Sequence, residues 1–498
     1  MRLALVAGVL GKLLQVFALA FLAPLAFGAW EAATRGGEWS ALLPYAIGGL
    51  LTFVAGRFAS RWFQAAPNLL RSEALAIVAS SWIVVGQFAA IPFWWGGLDY
   101  FDGLFESVSG LTTTGATIFT DFSVWDRPAF LWRAVLHWIG GFGVVAMFVV
   151  ILPQLGVAGR QIFFAESSTA TADVISPRLR STAFRILWLY LMLTIAEILA
   201  LMTLTTMPAF DVVCNSMATI STGGFSPHPL SIAGYQSPAA EWIITFFMLI
   251  SGISFPLLWI GFFRRPREFL RDGELSLYLA GFVACTLGAA AALAHGLPGL
   301  DTVRTTAFNV ATVISACGFA SADWATAPWT DAARIFLLIA LLLCSCAGST
   351  GGGAKVVRWI LAFKFMHREL IRVLHPRGVL PIRHKHRQVA DDTLRAIVAV
   401  VAVYCFAYMV LGAFLVLMGT DMVSAFSGAI ACINNAGPGF GSAGPMNNYA
   451  FLNPAGTLAC TLGMWLGRLE FVTVLVLLHP DVLRKMRWRG ESAVVRAQ

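Results

Sequence analysis

Apolar residues run along most of the chain in stretches long enough to cross a membrane as helices, which takes about 20 residues. Ten stretches reach that length: 3–30, 41–63, 73–95, 128–152, 182–207, 239–263, 276–295, 331–362, 392–418 and 453–479. The first is interrupted by Lys12 and lacks a small-residue cleavage site, so it reads as a span rather than a cleaved leader. The eighth is broken by Ser349-Thr350-Gly351-Gly352-Gly353, a run that disfavours helix. Four shorter, semi-apolar segments lie between spans, at about 100–120, 209–228, 301–323 and 421–445. Each opens on a polar residue and closes in small residues and glycine. They fit re-entrant half-helices followed by extended loops, which membranes tolerate only where protein lines a cavity. The longest polar stretch, 363–391, reads as a basic linker.

The four short segments share a register. They align on Gly115, Gly224, Gly318 and Gly437. Thirteen residues earlier stand Asp102, Asp211, Thr305 and Ser424, all residue types that cap helix starts. Four residues before each glycine is an apolar seat, Leu111, Ile220, Ile314 or Ile433. One residue on is a small polar group, Thr112, Ser221, Ser315 or Asn434. Agreement at several positions in four segments is an internal repeat, which settles architecture before local detail. The expected fold is an all-α polytopic membrane protein: four span–half-helix–span repeats around one pore, preceded by two extra helices. The expected divisions are 1–72 for the extra helices and 73–160, 161–270, 271–390 and 391–498 for the repeats.

The register has a physical use. Each half-helix would end near mid-membrane, with a partial negative charge at its carboxyl end. Four such ends around one axis favour a cation. The stretches that follow are Thr112-Thr113-Thr114-Gly115, Ser221-Thr222-Gly223-Gly224, Ser315-Ala316-Cys317-Gly318 and Asn434-Asn435-Ala436-Gly437. They carry little bulk, and rings of backbone carbonyls can replace a cation's hydration shell. The alternative is four ordinary outer loops rich in glycine and serine, a reading that holds for one segment and fails for four in register.

Composition narrows the class further. Of the 498 residues, 58% are hydrophobic and 12% charged. That is about half the usual ~25% charge of soluble domains, and the reverse of the disordered signature. The net charge of +8 has an address. With both termini inside, 28 of the 34 Lys and Arg fall on the cytoplasmic side, five fall outside, and Arg468 is left within a span. Thirteen acidic residues fall outside, so cations would gather there. The basic balance therefore records topology and excludes a nucleic-acid signature. The eight cysteines lie mostly in apolar stretches and read as buried thiols.

At TTTGAT (112–117), STGGF (221–225), the Gly318 segment and NNAGPG (434–439), the chain resembles the Trk/Ktr/HKT superfamily of potassium transporters. The likeness covers nearly the whole chain, and the two extra spans place it nearer the Trk branch. It implies potassium uptake across a bacterial inner membrane, with potassium as the transported ligand and no covalently bound cofactor. It also implies a homodimer and a cytoplasmic nucleotide-binding TrkA-like regulatory subunit. Further, it implies an intramembrane gating loop at Ala347-Gly348-Ser349-Thr350-Gly351-Gly352-Gly353 with Lys355, and an arginine beside it at Arg468. An arginine at mid-span costs at least ~2.5–3.5 kcal/mol on insertion scales, so Arg468 should face a cavity or a partner. Plant relatives that carry sodium often have serine at the first filter glycine. Here all four positions are glycine, which favours potassium.

The residues do not carry the patterns of other chemistry. GSTGGGAK superficially matches a nucleotide loop, but Ala354 stands where the lysine is required and no Ser or Thr follows Lys355. His384 and His386 in the basic linker have no metal-ligand spacing. The linker itself suits anionic lipid headgroups. Glu197 and Glu470 lie within spans and read as helix-pairing groups, with proton coupling as the alternative. A sodium-permeable transporter of the same superfamily is the remaining rival. A membrane-embedded enzyme finds no catalytic constellation.

Overall fold

In the computed structural model, residues 2–62, 70–146, 179–293, 299–376, 378, 380–384, 387–478, 480 and 484 are described. Regular structure in them is helical, apart from a short antiparallel pair, Arg383–His384 against Arg387–Gln388. Seven described helices are long and apolar enough to cross a membrane: Leu3–Arg35, Trp39–Ala59, Ser72–Trp95, Arg127–Val145, Ala183–Leu204, Gly273–Leu293 and Asp391–Leu417. The chain is a multi-pass membrane protein. The ends of the expected spans at 41–63, 128–152, 276–295 and 453–479, His386 and the basic tail beyond 484 lie outside the described residues.

Three expected spans are not continuous helices. The stretch at 239–263 bends by 104° between Pro238–Ser251 and Phe255–Phe263. The stretch at 331–362 divides into Asp331–Leu343 and Val356–Leu374, with residues 344–355 non-helical between them. The stretch at 453–479 divides into Pro454–Arg468 and Val472–Leu478, and Glu470 in the break is left-handed at φ 55°. Hydropathy counts are blind to such breaks, because glycines and hydroxyl residues leave a stretch apolar while weakening its helix. The basic stretch 363–391 is also more ordered than a linker. The helix Val356–Leu374 runs into it, and Arg368 pairs with Glu369 at 3.0 Å and Asp391 at 2.6 Å. That pairing ties the helix to the start of Asp391–Leu417.

The two extra helical segments clasp the first repeat. Leu3–Phe17 and Leu43–Ala59 cross at Gly11 and Gly56, where a side chain on Gly11 would come within 2.4 Å of the Ser60 amide. Phe21 packs on Trp132 with ring centres 4.3 Å apart. Arg2 pairs with Glu73 at 2.8 Å, and Arg127 with Glu31 at 3.0 Å.

The four half-helices are Tyr100–Leu111, Ala209–Ile220, Gly299–Ile314 and Met422–Ile433. All end on the apolar seat four residues before the aligned glycine. The first, second and fourth have 12 residues, a rise of about 18 Å. The third has 16, about one turn more.

Their starts correct the expected caps. Half-helix 1 is capped by Asp99, whose side chain accepts from the Asp102 amide at 3.0 Å. Half-helix 4 is capped by Asp421, which accepts from the Ser424 amide at 2.9 Å. Asp102 and Ser424 thus sit inside the first turn. The Ser424 hydroxyl accepts instead from the Ser442 amide at 2.7 Å. Half-helix 2 has Pro208 at its cap, with Asp211 in the first turn, where a carboxylate complements the helix dipole. Thr305 lies within half-helix 3. The repeated polar position marks the first turn in three repeats, because a cap bonds to an amide two or three residues further on. Replacing Asp99 or Asp421 with alanine is expected to cost about 1 kcal/mol each. Asp102→Ala should stay within about 0.5 kcal/mol, and thermal unfolding of the purified protein in detergent separates the two cases.

Candidate functional site

The segments after the half-helices repeat one backbone conformation. Thr113, Thr222, Ala316 and Asn435 are all left-handed, with φ of 52°, 55°, 58° and 53°. Two residues later Gly115, Gly224, Gly318 and Gly437 are left-handed again, at 79°, 81°, 99° and 80°. For a residue with a side chain this costs about 1–2 kcal/mol, so the surroundings must enforce it four times over.

The four strands meet in a closed ring. A first side-chain carbon on Gly115 would lie 2.0 Å from the Gly223 carbonyl oxygen, and one on Gly224 2.3 Å from that of Cys317. On Gly318 it would lie 2.7 Å from Ala436 O, and on Gly437 2.6 Å from Thr114 O. Each glycine thus abuts the carbonyl one residue before the next repeat's glycine, and the fourth returns to the first. The carbonyls of Thr114, Gly223, Cys317 and Ala436 are thus each packed against a glycine of a neighbouring repeat. Of the sixteen residues expected in the four strands, Thr114, Gly115, Gly223, Gly224, Cys317, Gly318, Asn435, Ala436 and Gly437 make these contacts between repeats.

Buried polar groups hold the ring. In three repeats a half-helix side chain catches the amide three residues past the glycine. Glu106 takes Ile118 N at 3.0 Å, Asn309 takes Ser321 N at 3.2 Å, and Ser427 takes Phe440 N at 2.8 Å. Asn435 donates to Thr114 Oγ1 at 3.0 Å and Met464 O at 2.9 Å, joining repeats 4 and 1. Asn434 donates to Leu341 O at 3.0 Å and accepts from Tyr408 at 2.6 Å. Thr113 Oγ1 and Asn435 Oδ1 are buried without a hydrogen-bond partner among the described residues.

Directly beneath lies the broken stretch 344–355. A side chain on Gly351 would come within 2.6 Å of Ser315 O, and one on Gly352 within 2.3 Å of Asn434 O. The Thr350 hydroxyl donates at 3.2 Å to Ile220 O and to Ser251 O. The loop therefore touches the carboxyl ends of half-helices 2, 3 and 4. Its near flank is pinned by Glu274, which accepts from Ala347 N at 2.6 Å, and by Phe255 N, which donates to Gly348 O at 3.0 Å. Ser349 folds back onto Ser345 and Cys346 O, at 3.0 and 2.7 Å. A side chain on Gly353 would meet Cys344 Sγ at 2.3 Å. Two buried cations hold successive loop carbonyls. Arg468 donates to Thr350 O at 2.8 Å, and Lys355 donates to Gly351 O. Arg468 Nε and Nη2 have no hydrogen-bond partner among the described residues. Glu470, two residues on, pairs with buried Arg358 at 2.5 Å. Glu197 is buried beside Thr219.

Above the ring a cavity of about 150 Å³ opens, lined by all four glycines together with Thr117, Arg133 and Tyr449. Arg133, in its wall, forms a 2.7 Å ion pair with Glu106, and both are buried. Arg133 also donates to Thr117 Oγ1 at 3.0 Å and lies 3.8 Å from the centre of the Phe225 ring. At the rim, the amide and hydroxyl of Ser424 hold the Asp421 carboxyl below the usual carboxylate range, so it stays ionised. Reading the sequence missed the caps Asp99 and Asp421, the pinning Glu274 and the Glu106–Arg133 pair. The caps have a local signal, a carboxylate three residues before the repeated polar position. The pair has none, since its members are 27 residues apart.

Apolar spans, together with four short helices whose following segments close a cycle of glycine–carbonyl contacts, fit a membrane cation-transport protein. The profile of the TrkH family, described as cation transport protein, matches residues 47–287 and 282–482, and the chain belongs to that family. The chain is 34% identical to the Trk system potassium uptake protein TrkH of Halomonas elongata over 500 residues, covering 97% of this chain and 100% of that one. It is 36% identical to TrkH of Salmonella typhimurium, covering 84% of this chain and 87% of that one. It is 32% identical to TrkG of Escherichia coli, covering 82% and 85%. The crystal structure of the potassium transporter TrkH from Vibrio parahaemolyticus superposes with a TM-score of 0.85 at 29% identity, over 97% of this chain and 100% of that one. The family is one of transport proteins rather than enzymes.

Breaking the Glu106–Arg133 pair from one side leaves an uncompensated buried charge. Arg133→Met should destabilise by about 3–5 kcal/mol, and adding Glu106→Gln should recover part of that loss. Thermal melts of the two variants test this.

Proposed function

We propose that the chain takes up potassium across a bacterial inner membrane through the ring at Gly115, Gly224, Gly318 and Gly437. The observation that carries the reading is the closed sequence of glycine–carbonyl contacts, which packs the four segments against one another in a cycle. Cations gather in the acidic outer mouth and shed water against these oxygens. The carboxyl ends of four half-helices add negative potential below. Thr113 Oγ1 and Asn435 Oδ1 are free to face an ion or its last waters.

The loop at 347–353 is the gate. It lies across the axis beneath the ring, and Arg468 and Lys355 hold its carbonyls in that place. A fixed arginine on the path also raises the barrier to cations. Both termini are cytoplasmic, which follows the distribution of Lys and Arg. The division into two leading helices and four repeats, at 1–72, 73–160, 161–270, 271–390 and 391–498, follows the half-helix register. The resemblance of its four glycine segments to the Trk branch implies a homodimer whose loop is controlled by a cytoplasmic TrkA-like nucleotide-binding subunit. Potassium is the transported ligand, and permeation needs no covalently bound cofactor.

Expression in a strain lacking potassium uptake should restore growth at low potassium. Sodium uptake without that rescue would overturn the potassium assignment. Gly224→Ser places a side chain 2.3 Å from Cys317 O, so the ring must open. The potassium-to-sodium flux ratio of reconstituted protein should fall, and an unchanged ratio rejects the filter. Arg468→Ala removes a charged hydrogen bond worth about 1.5–3 kcal/mol from the loop. Potassium flux should rise about tenfold or more if the loop is the gate, as read by tracer uptake into liposomes.

A further inference from the structure

We propose that His137 is a positioning residue for ion selectivity, acting as the Nδ1-protonated neutral imidazole that locks the second filter strand to the first half-helix. This rests on the filter reading above and names a residue that sets its geometry. His137 lies on Arg127–Ala146 and is fully buried. Its Nδ1 is 2.8 Å from Gly110 O, in the last turn of half-helix 1. Its Nε2 accepts from the Phe225 amide at 3.2 Å, in the residue after Gly224. The partners decide the tautomer: a nitrogen facing an N–H must be bare, and one facing a carbonyl must carry the proton.

Both contacts bear on the ring. Gly110 O also accepts from Thr113 N at 3.1 Å, the turn that makes Thr113 left-handed. On the other side the imidazole presses on the filter backbone itself. A side chain on Gly223 would lie 2.4 Å from the ring, and the Phe225 ring centre is 4.2 Å away. His137 therefore fixes the height of Gly223 O, the oxygen that abuts Gly115. The corresponding residue in repeat 4 is Met464. Gly140, three residues after His137, meets Leu111 O as Gly467, three after Met464, meets Ile433 O. Only the Met464 backbone carbonyl serves there, taking Asn435 Nδ2 at 2.9 Å. The histidine thus makes the seam between repeats 1 and 2 chemically distinct.

The test compares reconstituted full-length wild type, His137→Phe, His137→Gln and Gly224→Ser by potassium and sodium flux. His137→Phe fills the space without either hydrogen bond. Its potassium-to-sodium ratio should fall roughly two- to tenfold, the worth of one hydrogen bond. His137→Gln keeps a donor and an acceptor and should recover part of the ratio. A role in packing alone would lower both fluxes together and leave the ratio unchanged, which overturns the proposal. If Gly224→Ser shifts the ratio while both His137 variants keep it, His137 has no such role and the filter stands. If none shifts it, the filter reading falls as well. Should His137→Phe not fold, ¹⁵N NMR of histidine-labelled wild type decides, with the signal assigned by its loss in His137→Gln. A proton on Nδ1 supports the assignment, and a proton on Nε2 overturns it.

Discussion

Four glycines touch four carbonyls of their neighbours, at separations that leave no space for a side chain. The rest of the pore follows from that approach. Backbones can come so close only if each strand leaves its half-helix at the same point and with the same turn. Both conditions hold: every half-helix ends four residues before its glycine, and every strand has a left-handed residue two before it. Three of those left-handed positions in the first, second and fourth repeats are Thr113, Thr222 and Asn435, and the third repeat has Ala316. The ring imposes their conformation, and the half-helix carbonyls that accept their amides retain it.

A membrane interior gives irregular backbone no water to bond with, so non-helical segments must gather where other protein atoms can serve them. That explains why the breaks in the expected spans meet one another, through Thr350 at Ser251 O and Arg468 at Thr350 O. The loop at 344–355 spends its hydroxyls and amides on helix ends and on Glu274. Two of its carbonyls are taken by cations, which in water would be solvated and here are almost wholly buried. A hydrogen-bonded cation on a loop carbonyl is a strong tether in low dielectric.

Charge in the spans is arranged for geometry. Arg133–Glu106 and Arg358–Glu470 each join separate segments, the first beside the outer cavity and the second two residues from Arg468, which holds the loop. Buried pairs contribute little net stability but penalise wrong arrangements heavily.

Local chemistry determined much of this protein by itself. The length of apolar runs marked most spans, and the shared register of seat, polar residue and glycine marked the ends of the half-helices and the members of the ring. Those features are legible because they are periodic and short in range. The first-turn residues Asp102, Asp211 and Ser424 were legible for the same reason, though the caps themselves lie three residues earlier in two repeats. What tertiary structure decided is everything that joins distant segments. The cyclic order of the strands, the seat of the loop beneath three half-helix ends, and the partners of Arg468, Glu106 and His137 all link residues tens to hundreds of positions apart. No pattern along one chain encodes such pairings, because each depends on a close approach of backbones that exists only once the four repeats have closed.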